Sequence, residues 1–246
     1  ICPVCLHKST LPGGVKIKKS KLRGVVSMGM LCSQRELGIT EDHTGIWILP
    51  DDAPIGVDIR EYAKLDDAKI EVKATPNRGD ALSVVGIARD LHAVTGSPLT
   101  MPKMDPVPAT CDAVHPVEVV DSDLCGRFSS RVILGLNPDA KTPAWMKSRL
   151  ERAGQRSISA LVDISNYIML EVGRPTHFYD LDKLNGGRIV VRWAKAGEKA
   201  ELLNGKTIDL DPYFGVICDG DAPEGLAGIM GGERTSISGT TTNLFI

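Results

Sequence analysis

The sequence predicts a multidomain α+β protein, and three observations carry that reading. Apolar residues recur at helical spacing in three separate stretches. Short runs rich in β-branched residues fall in both halves of the chain between Gly and Pro punctuation. Four prolines, Pro98, Pro102, Pro106 and Pro108, interrupt the middle with little periodicity around them. At 246 residues and 42% hydrophobic content the chain is long enough to bury a core in one to three domains. We divide it into residues 1–60, a small α+β piece with a Pro-rich linker over 61–108, and a larger mixed α/β unit over 109–246.

Residues 1–60 hold short strand-like pieces and turns: Leu11-Pro12-Gly13-Gly14, a basic run from Lys16 to Arg23, then Gly45-Ile46-Trp47-Ile48-Leu49-Pro50. Such punctuation suggests a small barrel or sandwich. Residues 68–73 read as a strand. Pro76 then keeps Thr75 out of the helical region, and Asn77 or Asp80 can cap a helix with apolar positions at 84, 87, 88, 91 and 94. Gly96 and Pro98 close it.

From residue 115 onward, 116–120 and 127–134 read as strands. Thr142-Pro143 opens a helix with Met146, Leu150 and Ala153 on one face and Gly154 as its stop. A second helix is expected from about 159 to 171, and 188–193 and 214–218 as further strands. Asn204-Gly205-Lys206-Thr207 has the tail of a phosphate loop, but Ala200 stands where that loop requires Gly. Flanked by Glu201-Leu202-Leu203 and Ile208-Asp209-Leu210, Asn-Gly is better read as a hairpin turn.

A net charge of −2 excludes a wholly basic nucleic-acid coat while leaving room for local patches. No apolar run has the length of a membrane span, and the N-terminus lacks the basic-then-apolar order of a signal peptide. The chain starts with Ile and stops in the apolar run Asn243-Leu244-Phe245-Ile246, which we read as a fragment of a longer protein. Six cysteines are present; Cys2 and Cys5 have the spacing of half a zinc site with His7 behind them. No second pair completes four ligands, so we read them as free thiols of a reducing cytosol and expect no metal site.

Five cations in eight residues, Lys16, Lys18, Lys19, Lys21 and Arg23, form a run able to pair with phosphates. Lys147, Arg149, Arg152 and Arg156 make a second cluster, which on a helix is usually a solvated face. Arg78-Gly79-Asp80 matches a cell-adhesion tripeptide, to which we give little weight. The densest glycine segment, 225–233, fits either a tight turn or a pocket wall built of bare backbone. His177 follows Pro175, with Asp180 and Asp182 nearby; a lone His is more often structural than catalytic.

Three phrases shift these odds. They are Thr75-Pro76-Asn77-Arg78-Gly79-Asp80 running on to Arg89-Asp90-Leu91; Lys21-Leu22-Arg23-Gly24 through Gly29-Met30-Leu31-Cys32-Ser33 to Glu36-Leu37-Gly38; and Val162-Asp163-Ile164-Ser165-Asn166-Tyr167 through Gly173-Arg174-Pro175-Thr176-His177. Together they resemble the bacterial phenylalanyl-tRNA synthetase β-subunit family, in that family's order and over nearly the whole chain. The resemblance implies the later part of an oligonucleotide-binding (OB) type barrel at 1–60 and most of an editing domain at 109–246. It also implies a cytoplasmic α2β2 enzyme whose α subunit holds the synthetic site, whose substrates are tRNA(Phe) and phenylalanine, and which uses ATP and Mg2+. No cofactor is implied in this stretch, and neither DNA nor a membrane is an expected partner.

In that family the editing module hydrolyses tyrosyl-tRNA of the phenylalanine type. Its pocket motifs match here at Arg156, Ser165, Asn166, Pro175, His177, Gly228 and Gly231; Ser165 stands where many members have Thr. A family Glu that binds the tyrosine hydroxyl would follow Ile246. An apolar pocket rejects an isostere bearing one extra hydroxyl by only ~10², so a second, hydrolytic site that tests for the hydroxyl has a purpose. The resemblance then implies water attack on the aminoacyl ester. Backbone N–H groups of 228–232 or the Asn166 amide would steady the oxyanion, His177 would position water or ribose, and Arg156 would meet phosphate. A Ser165–His177 nucleophile pair is the weaker chemistry. A non-catalytic RNA-binding and assembly scaffold, and a free-standing tRNA-binding module, are the rival readings.

Overall fold

The computed structural model describes residues 1–40 and 43–246, and its internal contacts divide into two units, Ile1–Ile70 and Glu71–Ile246. Both units contain helix and strand, with strands the more numerous among the described residues. In the first unit, β1 (Val4–Leu6), β2 (Ser20–Leu22), β3 (Val25–Ser27) and β4 (Gly29–Leu31) form two antiparallel pairs, β1 with β4 and β2 with β3. Arg23 and Gly24 link β2 to β3 with φ of 49° and 87°. Positive φ at both central residues is the hairpin turn whose twist matches its strands. Leu11, Ile17 and Cys32 form this unit's small core, with Cys5, Met30 and Leu37 against them. The six cysteines are free thiols. A short helix, α1 (Ile59–Tyr62), is capped by the Asp58 carboxylate, which accepts from the Arg60 N–H at 2.9 Å.

Two expected strands do not form. Residues 45–50 make single backbone hydrogen bonds, Trp47 N–H to Cys32 O (3.0 Å) and Leu49 N–H to Ile1 O (2.9 Å), without a ladder. Residues 68–73 are irregular and exposed, with Ile70 80% accessible, and belong to no sheet. β-branched composition favours a pleated surface only where a partner supplies one.

The second unit begins with a 3₁₀ turn (Gly79–Ala81) leading into α2 (Val84–Thr95). Its cap is Ser83, whose Oγ accepts from the Gly86 N–H at 2.9 Å, in place of the expected Asn77 or Asp80. Asp80 instead pairs with Arg78, whose guanidinium also grips Asp90 on the helix (2.6 Å). That bracing gives the Arg-Gly-Asp triplet a structural use. Gly96 ends α2 in the left-handed region (φ 70°), as expected. The predicted apolar stripe is displaced: Val85 and Gly86 are buried, while Val84, Leu91 and Val94 are exposed. Gly86 lies against the 3₁₀ turn so closely that a methyl group there would sit 3.0 Å from the Ala81 Cα, and this tertiary contact sets the buried face.

Strands β5 (Val117–Val119) and β6 (Val132–Ile133) are shorter than the expected runs. Helices α3 (Ala144–Arg152) and α4 (Ala160–Val172) follow; Leu150 is buried on α3, Ser159 caps α4, and Gly173 closes it at φ 76°. α4 packs on both α2 and α3. Next come β7 (Tyr179–Asp180), β8 (Ile189–Trp193), β9 (Lys199–Glu201), β10 (Thr207–Asp209), β11 (Gly215–Asp219), β12 (Ala222–Leu226), β13 (Met230–Gly231) and β14 (Leu244–Phe245). The main sheet runs β13-β12-β11-β8-β5, antiparallel except for the parallel β5–β8 pair. β8 is buried on both faces. Val190 joins Val216, Cys218 and the β9–β10 hairpin on one side; Ile189 and Val191 meet Tyr179 and Phe245 on the other. That hairpin closes on Asn204-Gly205, with Gly205 at φ 74° and its N–H donated to Leu202 O. A second sheet orders β6-β14-β7, placing β14 in its centre.

One carboxylate ties the helical layer together. Asp163, wholly buried on α4, accepts from Thr142 Oγ1 (2.5 Å), Ser157 Oγ (2.6 Å) and the Ile158 N–H (3.0 Å). Burial pushes its pKa up; the hydrogen bonds from Ser157, Thr142 and Ile158 outweigh this and hold it below the ordinary Asp value. A depressed pKa means stabilisation present above the unfolded Asp value of about 3.9 and lost as pH falls through the folded value. Asp163→Ala is expected to lower the unfolding free energy at neutral pH by at least ~2 kcal/mol. In denaturant titrations the deficit relative to wild type should shrink below about pH 4.

Candidate functional site

α4 and the loop after it bring the first group of site residues together. Gly173 turns the chain out of the helix, and Pro175 and Thr176 carry it back along α4 toward His177. Ser165 Oγ, on α4, donates to the Thr176 carbonyl at 2.8 Å, and Thr176 Oγ1 donates to Ser165 Oγ at 3.1 Å. The Ser165 hydroxyl is therefore committed to the carbonyl of the residue before His177, and this pair locks the loop to the helix. Asn166 is half-buried beside Ser165; Pro175 is exposed in the loop; Arg156 is exposed between α3 and α4.

The His177 ring meets Tyr179 edge to face, with centroids 4.4 Å apart, and Tyr179 in turn packs on Phe245 at 5.9 Å. On its other side lies Gly231. A Cβ built at Gly231 would clash with the imidazole, 2.7 Å from Nε2 and 3.0 Å from Nδ1, and closer still to Cε1. Glycine at 231 is thus required by the close approach of a ring to bare backbone. Gly228 has a different part. It sits in the exposed turn between β12 and β13 at φ 72°, with open space around it. The glycine-dense segment is a tight turn at Gly228 and a wall against His177 at Gly231.

His177 Nε2 is buried and has no hydrogen-bond partner. Burial alone pushes the imidazole pKa below its ordinary value, so the neutral ring is favoured. A neutral imidazole with an unsatisfied ring nitrogen can accept a proton from, or donate one to, a small polar group such as a water. Tyr179, almost wholly buried, has its phenol pushed upward by desolvation and stays protonated.

A buried charge cluster that sequence reading did not single out holds the Gly231 wall. The Arg234 guanidinium contacts both Glu224 on β12 and Asp219 on β11 (3.2 Å to Asp219), and Thr235 Oγ1 donates to Glu224 at 2.9 Å. Asp219 also accepts the Asn185 and Gly186 N–H groups at 2.9 and 2.7 Å. Acidic residues in strands flanked by turns look solvent-facing, and no local spacing links 219, 224 and 234. Phe245 was equally inconspicuous as a single aromatic in an apolar run.

Lys16, Lys18, Lys19, Lys21 and Arg23 belong to the first unit, all exposed on or beside the β2–β3 ribbon; Leu22, Val25 and Val26 of that ribbon are exposed with them. In the second unit, Lys147 pairs with Glu151 (3.8 Å) and Arg149 donates to the Tyr167 hydroxyl (2.7 Å). Among the described residues, no group of three or more His, Cys, Asp or Glu side chains could hold a metal ion.

Comparison with known proteins places this geometry in a lineage. The family described as the B3/4 domain matches residues 124–246. The chain is 58% identical over 250 residues to the phenylalanine–tRNA ligase beta subunits of Burkholderia pseudomallei and Burkholderia mallei, alignments that cover 99% of this chain and 31% of each relative. It is 56% identical over 244 residues to the protein of that name from Bordetella pertussis, covering 99% of the chain and 30% of the relative. The chain thus spans somewhat under a third of the length of these relatives.

The contact between His177 and Gly231 makes two linked expectations. In NMR titrations His177 should protonate below about pH 6.5. Its lowered folded pKa then contributes stability above that pH, lost as pH falls through the folded value. Gly231→Ala forces the ring to move or the strand to yield, and is expected to cost about 1–3 kcal/mol of stability and to shift the His177 ring resonances. An unchanged His177 spectrum in that variant would refute the contact.

Proposed function

We propose, since this chain belongs to the B3/4 domain family, that it forms part of a phenylalanine–tRNA ligase β subunit and hydrolyses tyrosine wrongly esterified to tRNA(Phe). The observation that carries the reading is the buried, unpartnered Nε2 of His177 against the bare backbone of Gly231. The imidazole packs directly on that backbone, with one polar atom left to be satisfied.

The chemistry is water attack on the ester carbonyl carbon, with cleavage of the acyl–oxygen bond to give free tyrosine and an intact 3′ hydroxyl. Neutral His177 orients the water or the ribose hydroxyl through Nε2. The Ser165 proton lies on the Thr176 carbonyl, which favours water over a serine nucleophile; Ser165 is a positioning residue that fixes the loop bearing His177. The oxyanion is met by N–H groups of the 228–232 segment or by the Asn166 amide. Within that segment the Ile229 N–H is already bonded to Leu226 O, and the open surroundings of Gly228 leave approach from solvent clear. Arg156, exposed at the mouth of the α3–α4 connection, meets phosphate.

In the whole enzyme an α subunit carries amino-acid activation with ATP and Mg2+, in an α2β2 assembly of the cytoplasm. No step assigned to the present residues passes through either cofactor. The OB-type reading of residues 1–60 belongs to this proposal too, with the cations of the β2–β3 ribbon turned to tRNA.

The deciding experiment offers tyrosyl-tRNA(Phe) to the ligase containing this chain. His177→Ala should slow deacylation roughly 10²-fold or more while phenylalanine charging persists, and Gly231→Trp, which must displace the imidazole, should abolish deacylation. Deacylation at the wild-type rate by both variants would move the assignment to a non-catalytic scaffold. Separately, Lys18→Ala, Lys19→Ala and Lys21→Ala combined should weaken tRNA binding and reduce the slope of log affinity against log salt by about three. An unaltered slope would return the run to a solvated face.

A further inference from the structure

Helix α3 presents a feature that the hydrolytic reading leaves unused. Trp145 is 53% accessible at its first turn. The Arg149 guanidinium lies 5.2 Å from the centre of its ring, and Tyr167 of α4 meets it edge to face at 5.3 Å. The side chains are held in place: Arg149 donates to the Tyr167 hydroxyl (2.7 Å), which donates to Glu171 (2.8 Å). Around them the chain is locally basic. Residues 141–156 contain Lys141, Lys147, Arg149, Arg152 and Arg156 against the single acid Glu151, a local charge of +4 in a chain whose total is −2.

A rigid aromatic layered with a guanidinium and flanked by cations has the chemistry of a base-stacking platform: the ring takes a base, the cations take its phosphates. The excess of cations around the ring suits a polyanionic strand. We propose that Trp145 and Arg149 form a stacking platform for an unpaired strand of RNA. This inference rests on the reading above that the unit handles tRNA, and it names the occupant as the single-stranded 3′ end, which must leave its stack to deliver an ester to His177.

The test is fluorescence anisotropy of a short, labelled single-stranded RNA ending in CCA, with heparin as a polyanion that has no bases to stack. Trp145→Ala is expected to weaken RNA binding roughly fivefold to a hundredfold and to leave heparin binding unchanged. Trp145→Phe should retain most of the affinity, and Arg149→Ala should lower the salt slope by about one. Should Trp145→Ala fail to fold, Trp145→Phe and Trp145→Leu decide, with Phe binding and Leu not. RNA binding equal to wild type in the Ala or Leu variants overturns the platform. So does an equal loss toward heparin, or burial of Trp145 under the α subunit on assembly. Deacylation is not the readout: binding through Trp145 with tyrosyl-tRNA left intact keeps the platform and removes the hydrolytic reading. Hydrolysis with Trp145 dispensable for RNA binding does the reverse.

Discussion

The position of Phe245 governs the site more than any catalytic group does. Its strand is the middle one of three, with Phe245 opposite Val132 on one side and Tyr179 on the other, and its ring is fully buried against His115, Phe128 and Tyr179. Tyr179 carries the contact onward to His177, and His177 to Gly231. Each aromatic pair contributes about 0.5–1.5 kcal/mol beyond its buried area. The column therefore sets where the imidazole lies, and its apolar surroundings are also what lower the imidazole's pKa. Position and protonation state have one cause.

The opposite wall is held by charge. Glu224 and Asp219 have buried carboxylates, and Arg234, half-exposed, bridges both. Two buried anions facing one cation would be unfavourable alone. Two backbone N–H groups on Asp219 and the Thr235 hydroxyl on Glu224 supply the remaining stabilisation. The cluster joins β11, β12 and the segment after β13, so the strand bearing Gly231 cannot drift from His177 without exposing a carboxylate to an unpaired interior.

What was legible in the sequence follows how local its cause is. Helices α3 and α4 were readable because Ser159, Gly173 and the spacing of Met146 and Leu150 act within a few residues. The Asn204-Gly205 hairpin was readable for the same reason. The strand expected at 68–73 was misjudged because a strand needs a partner that the segment does not supply itself, and the buried face of α2 because apolar spacing says nothing of the close approach of Gly86 to the Ala81 backbone just ahead of the helix. The importance of His177 and Gly231 was suggested by family resemblance, and no spacing rule linked residues 54 positions apart. Phe245, Glu224 and Arg234 carried no signal at all, since a buried ion pair across a hairpin has the same composition as an exposed one.

Asp163 connects the two halves of the functional argument. Its three donors come from Thr142, ahead of α3, and from Ser157 and Ile158, between α3 and α4. The same carboxylate thereby fixes the helix bearing Trp145 and Arg149 relative to the helix bearing Ser165, whose hydroxyl holds the His177 loop. On the proposed reading, a strand of RNA anchored on α3 and an ester bond presented to His177 share one frame. A displacement of about 1 Å between anchor and reacting group can cost 10²-fold in rate. A buried carboxylate held by three donors is a stiffer link than a surface ion pair, because relaxing it strands a charge in the interior. Its position on α4, two residues before Ser165, places that stiffness beside the hydroxyl that holds the His177 loop.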